Sequence, residues 1–129
     1  MRIRVDDSLN VYVTGNTSSN NQIATTGSYQ DSLRGSDDAF IMKFDSLGSL
    51  IWGTYIGGEG VDYVQAIDLK YNAIWLCGYT SSENYLTDSS SFNQQNNGSY
   101  DNLILRYDLN GNKTWGTFSG GLNNDFCQD

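Results

Sequence analysis

Trp52 to Tyr63 reads WGTYIGGEGVDY, and Trp115 to Phe126 reads WGTFSGGLNNDF, so the same phrase returns 63 positions later. The echo reaches well beyond that phrase. Val11 to Ser19 reads VYVTGNTSS and Ile74 to Ser82 reads IWLCGYTSS, again 63 apart. A period held over nearly the whole chain marks a repeat architecture, in which each copy is one supersecondary unit that cannot bury its apolar face alone.

The rest of the composition fits small β units. The 129 residues are 38% hydrophobic and 17% charged, and they are rich in Ser, Thr, Asn, Gly and Tyr, as expected of an all-β chain with many turns. The net charge of −8 is spread along the chain, which argues against a nucleic-acid partner, since phosphate binding needs clustered Lys and Arg. No apolar run is long enough to span a bilayer, and MRIRVDDSLN lacks the apolar core of a signal peptide. Cys77 and Cys127 form no CxxC pattern and align under the repeat with Thr14 and Val64. They read as buried free thiols, which behave as small hydrophobes.

Each period contains four short runs of strand-forming residues divided by turn residues. In the first unit these are Ile3–Val5, Val11–Gly15, Ala39–Phe44 and Leu50–Ile56, with a long polar loop from Asn16 to about Asp37. Asp45-Ser46-Leu47-Gly48 has Asp at the first and Gly at the fourth turn position, and Asp108-Leu109-Asn110-Gly111 repeats it. That chemistry ties the third and fourth strands into a hairpin and makes each unit an antiparallel meander. In the third strand Phe40, Met42 and Phe44 lie on one face and Ala39 and Ile41 on the other, so both faces are apolar. A sheet of that kind must be covered on both sides, and with no helix in the sequence the cover is another copy of the sheet. Copies of a twisted four-stranded sheet around an axis make a β-propeller. Lys43 and Arg106, at matching places, read as charges that snorkel to solvent, and Lys113 as a guard against edge pairing.

VYVTGNTSS, ATTGSYQ, DAFIMKFDSLGSLIWGTYIGG and VDYVQAIDLKYNAIWLCGYTSS, in that order and spacing, resemble the SBBP-type β-propeller repeat, a family of large secreted or surface proteins. The second unit departs further, as YDNLILRYDLNGNKTWGTF, and the chain lacks the proline such repeats often carry in the long loop. The resemblance implies a propeller blade per unit, an extracellular or cell-surface setting and adhesion or recognition, and it implies no shared catalytic residues. Residues 1–63 would be one blade and 64–129 a second with the start of a third. In that architecture Trp52 and Trp115 anchor each outer strand on a neighbouring blade. Gly57, Gly58, Gly120 and Gly121 allow the turn leading inward, and Asp62 and Asp125 hydrogen-bond backbone in that turn. Closed propellers have about 4 to 8 blades and repeat proteins need about 3 or more units, so two blades imply a partial propeller or part of a larger assembly. The partners would then be other blades of the same or a neighbouring chain.

Little in the sequence points to catalysis. The absence of histidine removes the common acyl-transfer triads and most zinc sites, and no Walker-type loop is present. Glu59, Asp62 and Glu83 are the carboxylates from which a glycoside-cleaving pair would be drawn. DLNGN at Asp108 imitates a calcium loop, but Lys113 and Ser119 occupy the positions that need Gly and Glu, so it reads as a hairpin turn. No metal or other cofactor is called for. Sequons at Asn16, Asn97 and Asn112 would carry glycans in a secreted eukaryotic protein.

The long loops are the place to look for binding, because connections of about twenty residues are uncommon unless functional or disordered. Tyr29 and Arg34 in the first, with Tyr85 and Phe92 in the second, can contact a glycan or a protein, while Phe92, which aligns with Tyr29, is also suited to folding back as a cap. The sequence therefore reads as a non-enzymatic scaffold and adhesion or protein-interaction segment. A lectin-like module, the non-catalytic part of a larger secreted enzyme, and an intracellular start at Met1 are the rival readings.

Overall fold

A computed structural model describes residues 1–128, and every regular element in them is a strand. The elements are β1 (Arg2–Val5), β2 (Val11–Thr17), β3 (Asp38–Phe44), β4 (Leu50–Ile56), β5 (Asp62–Lys70), β6 (Ala73–Thr80), β7 (Asp101–Asp108) and β8 (Lys113–Ser119). They form two four-stranded sheets, ordered β1-β2-β3-β4 and β5-β6-β7-β8, with every pair antiparallel. Each sheet is one sequence repeat, and the two do not close on themselves. No helix among the described residues is long and apolar enough to cross a membrane.

The hairpin turns follow from their residues. Gly48 and Gly111 sit at φ of 83° and 87°, where a side chain is disfavoured. Gly48 N–H donates to the Asp45 carbonyl at 3.1 Å, and Asp45 Oδ1 accepts from Leu47 N and Ser49 N at 2.9 and 2.8 Å. Those amide donors hold the Asp45 carboxyl below its ordinary range. Asp108 repeats the arrangement with Asn110 N and Asn112 N. The β5–β6 hairpin instead turns through Tyr71 and Asn72, both at positive φ, as a two-residue primed turn requires.

Both faces of each sheet are apolar, but only one face of each is covered. The core joins Tyr12, Ala39, Ile41 and Ile56 of the first sheet to Ile67, Ile74, Leu76, Leu103, Leu105, Tyr107 and Phe118 of the second. The register places these on the facing surfaces. Burying each such Leu or Ile contributes about 1.5–3 kcal/mol. Trp52 of β4 packs against this core, donates through Nε1 to the Leu109 carbonyl at 3.1 Å and meets Tyr12 edge to face at 6.3 Å between centroids. Trp115 has Trp75 in the place of Tyr12, at 6.5 Å.

The long loops do not stand free. The first runs along β4, where Thr25 N donates to the Gly53 carbonyl at 2.9 Å and Tyr55 N to the Gln30 carbonyl at 3.1 Å, and the second repeats the contact from Phe118 N to Asn93 O at 3.2 Å. Each outer edge is thereby partly paired, which is how the exposed edge is guarded. Lys113 does not do this by repulsion. Its Nζ donates to the carbonyls of Leu86 at 2.9 Å and Tyr85 at 3.2 Å, binding the second loop to β8. Lys43 and Arg106 run over aromatic rings, Lys43 Nζ 5.2 Å from the Tyr12 centroid and the Arg106 guanidinium 5.7 Å from that of Trp75.

The glycines that link the sheets serve a different purpose from turning the chain. None of Gly57, Gly58, Gly120 and Gly121 is among the residues at positive φ. At Gly57 a Cβ would fall 2.4 Å from Asp38 Cγ, and at Gly58 2.5 Å from the Asn84 carbonyl. Space for neighbouring groups selects glycine at both, and at Gly120, where a Cβ would fall 2.7 Å from Asp101 Oδ1, whereas at Gly121 nothing lies within 4 Å.

The expectation of two free thiols is overturned. Cys77 and Cys127 form a disulfide with Cα atoms 6.3 Å apart, well inside the usual span. The alignment that set both cysteines outside the repeated pattern hid that Thr14 and Val64, their counterparts, are buried positions of β2 and β5. A bridge closing a loop of 50 residues' separation stabilises by about 2–4 kcal/mol. Cys127→Ser, or reduction of the wild type, is expected to lower the unfolding free energy by that amount in urea titrations. An unchanged midpoint would show that the bridge does not constrain the unfolded chain.

Candidate functional site

Two groups of polar side chains are built where the loops meet the sheets. The first is buried. Asp62, at the start of β5 and fully buried, accepts from Gly58 N at 2.9 Å and Ser82 Oγ at 2.8 Å, and Thr80 donates to its other oxygen. Burial pushes its carboxyl up, the three hydrogen bonds oppose that, and the nearby charge of Asp38 adds to it. Asp38, also fully buried, accepts from Gln30 Nε2 at 2.8 Å and from Arg34 N and Gly35 N at 3.1 Å. The repeat has the same pair in Asp101 and Asp125. Asp125 Oδ2 accepts from Gly121 N at 2.8 Å, as Asp62 does from Gly58. Asp101 accepts from Asn97 N at 2.9 Å, while its buried Oδ1 has no partner. The reason is a diverted donor: Gly35 N serves Asp38 Oδ1, but its counterpart Gly98 N donates to Asn96 Oδ1 at 3.1 Å, and the position of Gln30 is held by the shorter Asn93.

These carboxylates are structural clasps. Asp62 is closed to solvent and its oxygens are occupied, which removes it from any pair with Glu59 and Glu83. Glu59 is exposed, and its Oε1 accepts from Glu83 N at 3.1 Å and Asn84 Nδ2 at 2.9 Å. Desolvation works to raise its pKa, but these hydrogen bonds outweigh it and the carboxyl lies low. A low carboxyl with a buried neighbour is not the geometry of a general acid beside a nucleophile. Among the described residues no three His, Cys, Asp or Glu side chains gather as a metal site would require.

The second group is open to solvent and gathers three of the four loop residues singled out by sequence. Arg34 of the first loop lies over the ring of Tyr85 in the second, 4.5 Å from its centroid. Tyr29 packs edge to face on Tyr107 at 6.1 Å, with Lys113 Nζ 5.8 Å from its centroid. Desolvation lowers the Lys113 pKa, Asp88 raises it and Arg34 lowers it further. Tyr85 sits at a φ of 74°, an uncommon backbone conformation for a residue with a side chain. The result is a mixed surface of two tyrosine faces and two cations, with Tyr29 42% and Tyr85 59% exposed. Phe92 does not cap its sheet and does not join the cluster: it is 93% exposed.

Sequence reasoning missed Lys113 and Tyr107 as members of this cluster, since both lie outside the loops. It also missed Asp38 and Asp101, whose 63-residue separation was available as a signal. The three sequon asparagines are all exposed, with Asn16 on β2, where its Oδ1 accepts from Val64 N at 3.2 Å, Asn97 in the second loop and Asn112 in the β7–β8 turn.

Compared with known proteins, the chain matches no family model and no curated sequence.

The raised pKa of Asp62 gives a signed pH dependence. Its folded form favours the protonated acid, so the stabilisation it contributes is complete below the unfolded value and is lost as pH rises through the higher folded value. The stability of the wild type minus that of Asp62→Asn is therefore expected to be larger at about pH 3.5 than at about pH 7. Urea titrations of both proteins measure it, and a difference that grows with pH would refute the buried assignment.

Proposed function

We propose that this chain is a non-enzymatic β-propeller repeat segment of the SBBP type, acting at the cell surface or outside the cell as a scaffold and an adhesion or protein-interaction module. The observation that carries the reading is the cluster of Arg34, Tyr85 and Tyr29, assembled from both repeats and left open to solvent beside the half-buried Lys113, while the repeat's carboxylates are consumed in holding loops. The disulfide supports an oxidising compartment. Glycans on the exposed Asn97 and Asn112 belong to the same reading. The partners are further blades of the same or a neighbouring chain, together with a protein or glycan ligand at the cluster.

A lectin-like role is the second reading, favoured by the exposed tyrosine faces, because sugar rings stack on aromatic faces and cations hold their acidic substituents. Service as the non-catalytic part of a larger secreted enzyme uses the same surface.

Glycan-array and surface-capture binding of the wild type is expected, with Tyr85→Ala and Arg34→Ala each weakening it about tenfold, the equivalent of one lost contact of moderate strength. Binding that both variants retain in full would remove the cluster from the function.

A further inference from the structure

The interface inside the chain is a template for one outside it. In the second sheet Ile67, Leu76, Leu103, Leu105 and Tyr107 face the first sheet and are each at most 2% exposed. Strand register matches them to Ile3, Val13, Phe40, Met42 and Phe44, an equally apolar set on the face of the first sheet turned away from the second. Ile3 is 47% exposed and the other four are half-buried.

The opposite end of the molecule carries the complement. Tyr12, Ile41 and Trp52, which the first sheet presses on the second, correspond to Trp75, Ile104 and Trp115. Trp75 and Ile104 line an open groove with Ala66 and Cys77.

Finer features match as well. The ring of Trp52 lies so close over Gly111 that a Cβ there would fall 2.9 Å from it, whereas a Cβ on Gly48, the counterpart of Gly111, meets nothing within 4 Å. Tyr29 rests on Tyr107, while its counterpart Phe92 stands in solvent and Phe44, the counterpart of Tyr107, is half-buried on the uncovered face.

A strand edge points the same way. β6 pairs with β5 through Gly78, Tyr79 and Thr80, which meet Val64, Tyr63 and Asp62. The equivalent Gly15, Asn16 and Thr17 of β2 lie past the end of the β1 pairing, which stops at Thr14. The segment equivalent to Asp62–Val64 is Asp125–Cys127, at the other end of the chain. It is held against the second sheet as β5 is held against the first: Asp125 N donates to Tyr100 O at 2.8 Å, as Asp62 N does to Asp37 O at 2.9 Å, and the disulfide ties Cys127 to β6 at Cys77, as Val64, its counterpart, is tied to β2 by its N–H to Asn16 Oδ1 at 3.2 Å.

We propose that a second copy of this chain docks head to tail on the Trp75–Ile104–Trp115 face, using its Phe40–Met42–Phe44 face. Trp115 seats over its Gly48 turn, and residues 125–127 extend the first strand of the incoming sheet beside Gly15–Thr17. The interface is heterologous, so it either closes a ring or propagates an open stack. A ring of about 4 to 8 blades takes two to four copies. The inference deepens the scaffold reading and rests on it, but the two are tested apart, since assembly is read by mass and the loop cluster by ligand binding.

The test is light scattering on a sizing column with the wild type, Met42→Lys and Ile104→Lys. The wild type is expected to run at two to four times the chain mass, or at a mass that climbs with concentration. Each variant retains one working face, so each is expected to be a monomer alone and their equimolar mixture to double in mass. A monomeric wild type at its highest soluble concentration overturns the proposal, as does a variant that dimerises alone or a mixture that stays monomeric. If circular dichroism shows either variant unfolded, Ser46→Glu and Phe92→Ser, which change exposed positions on the two faces, take their places with the same expected outcomes.

Discussion

The structure depends on the fact that a sheet apolar on both faces cannot stand by itself. Its strands satisfy their own backbone hydrogen bonds, yet two surfaces remain that water disfavours, and only another sheet offers a flat partner of the right size. The chain meets half of this need internally. One face of each sheet is buried against the other, which accounts for the single core and for the position of Trp52 across it. The remaining two faces are the same surfaces seen without partners.

The buried carboxylates are the second device, and they follow from the first. Stacking flat sheets leaves the chain to travel from the outer strand of one to the inner strand of the next, and its amides in that passage need acceptors. Asp62 supplies one to Gly58 N, and Asp38 does the same for Arg34 N and Gly35 N of the first long loop, at the cost of holding two carboxyl groups away from water. Glycine at 57 leaves the space in which Asp38 sits, and glycine at 58 the space for Ser82, which donates to Asp62. Asp62, one of the three carboxylates considered for a catalytic pair, is thus committed to architecture, and what the loops expose is a set of aromatic and cationic side chains.

The strands, the hairpins with Asp and Gly, and the stacking of the two sheets were all legible because each rests on a repeated local pattern. Period-two alternation in AFIMKF gave both faces, and the β4–β5 connection repeated with the phrase that begins at Trp52. What escaped notice lacks such a pattern. Cys77 and Cys127 replace a Thr and a Val, so nothing local says that these positions are neighbours in space. The meeting of Arg34 with Tyr85 depends on how two irregular loops settle against strands, and neither loop carries periodicity from which that could be read. Phe92 shows the limit of alignment itself: its counterpart Tyr29 has Tyr107 to rest on, and Phe92 has no third sheet.

The disulfide also sets the mechanical behaviour of the chain. A pull applied beyond Cys127 enters the fold at Cys77, in the middle of β6, and the covalent bridge carries the tension past the β7–β8 hairpin. That hairpin can neither extend nor peel from its sheet under load while the bridge is intact. Force is delivered instead to the β5–β6 ladder and to the packing between the two sheets, where hydrogen bonds and buried side chains resist it together. Reduction would reroute the same load through the C-terminal strand and release a length of chain that the oxidised protein keeps in reserve.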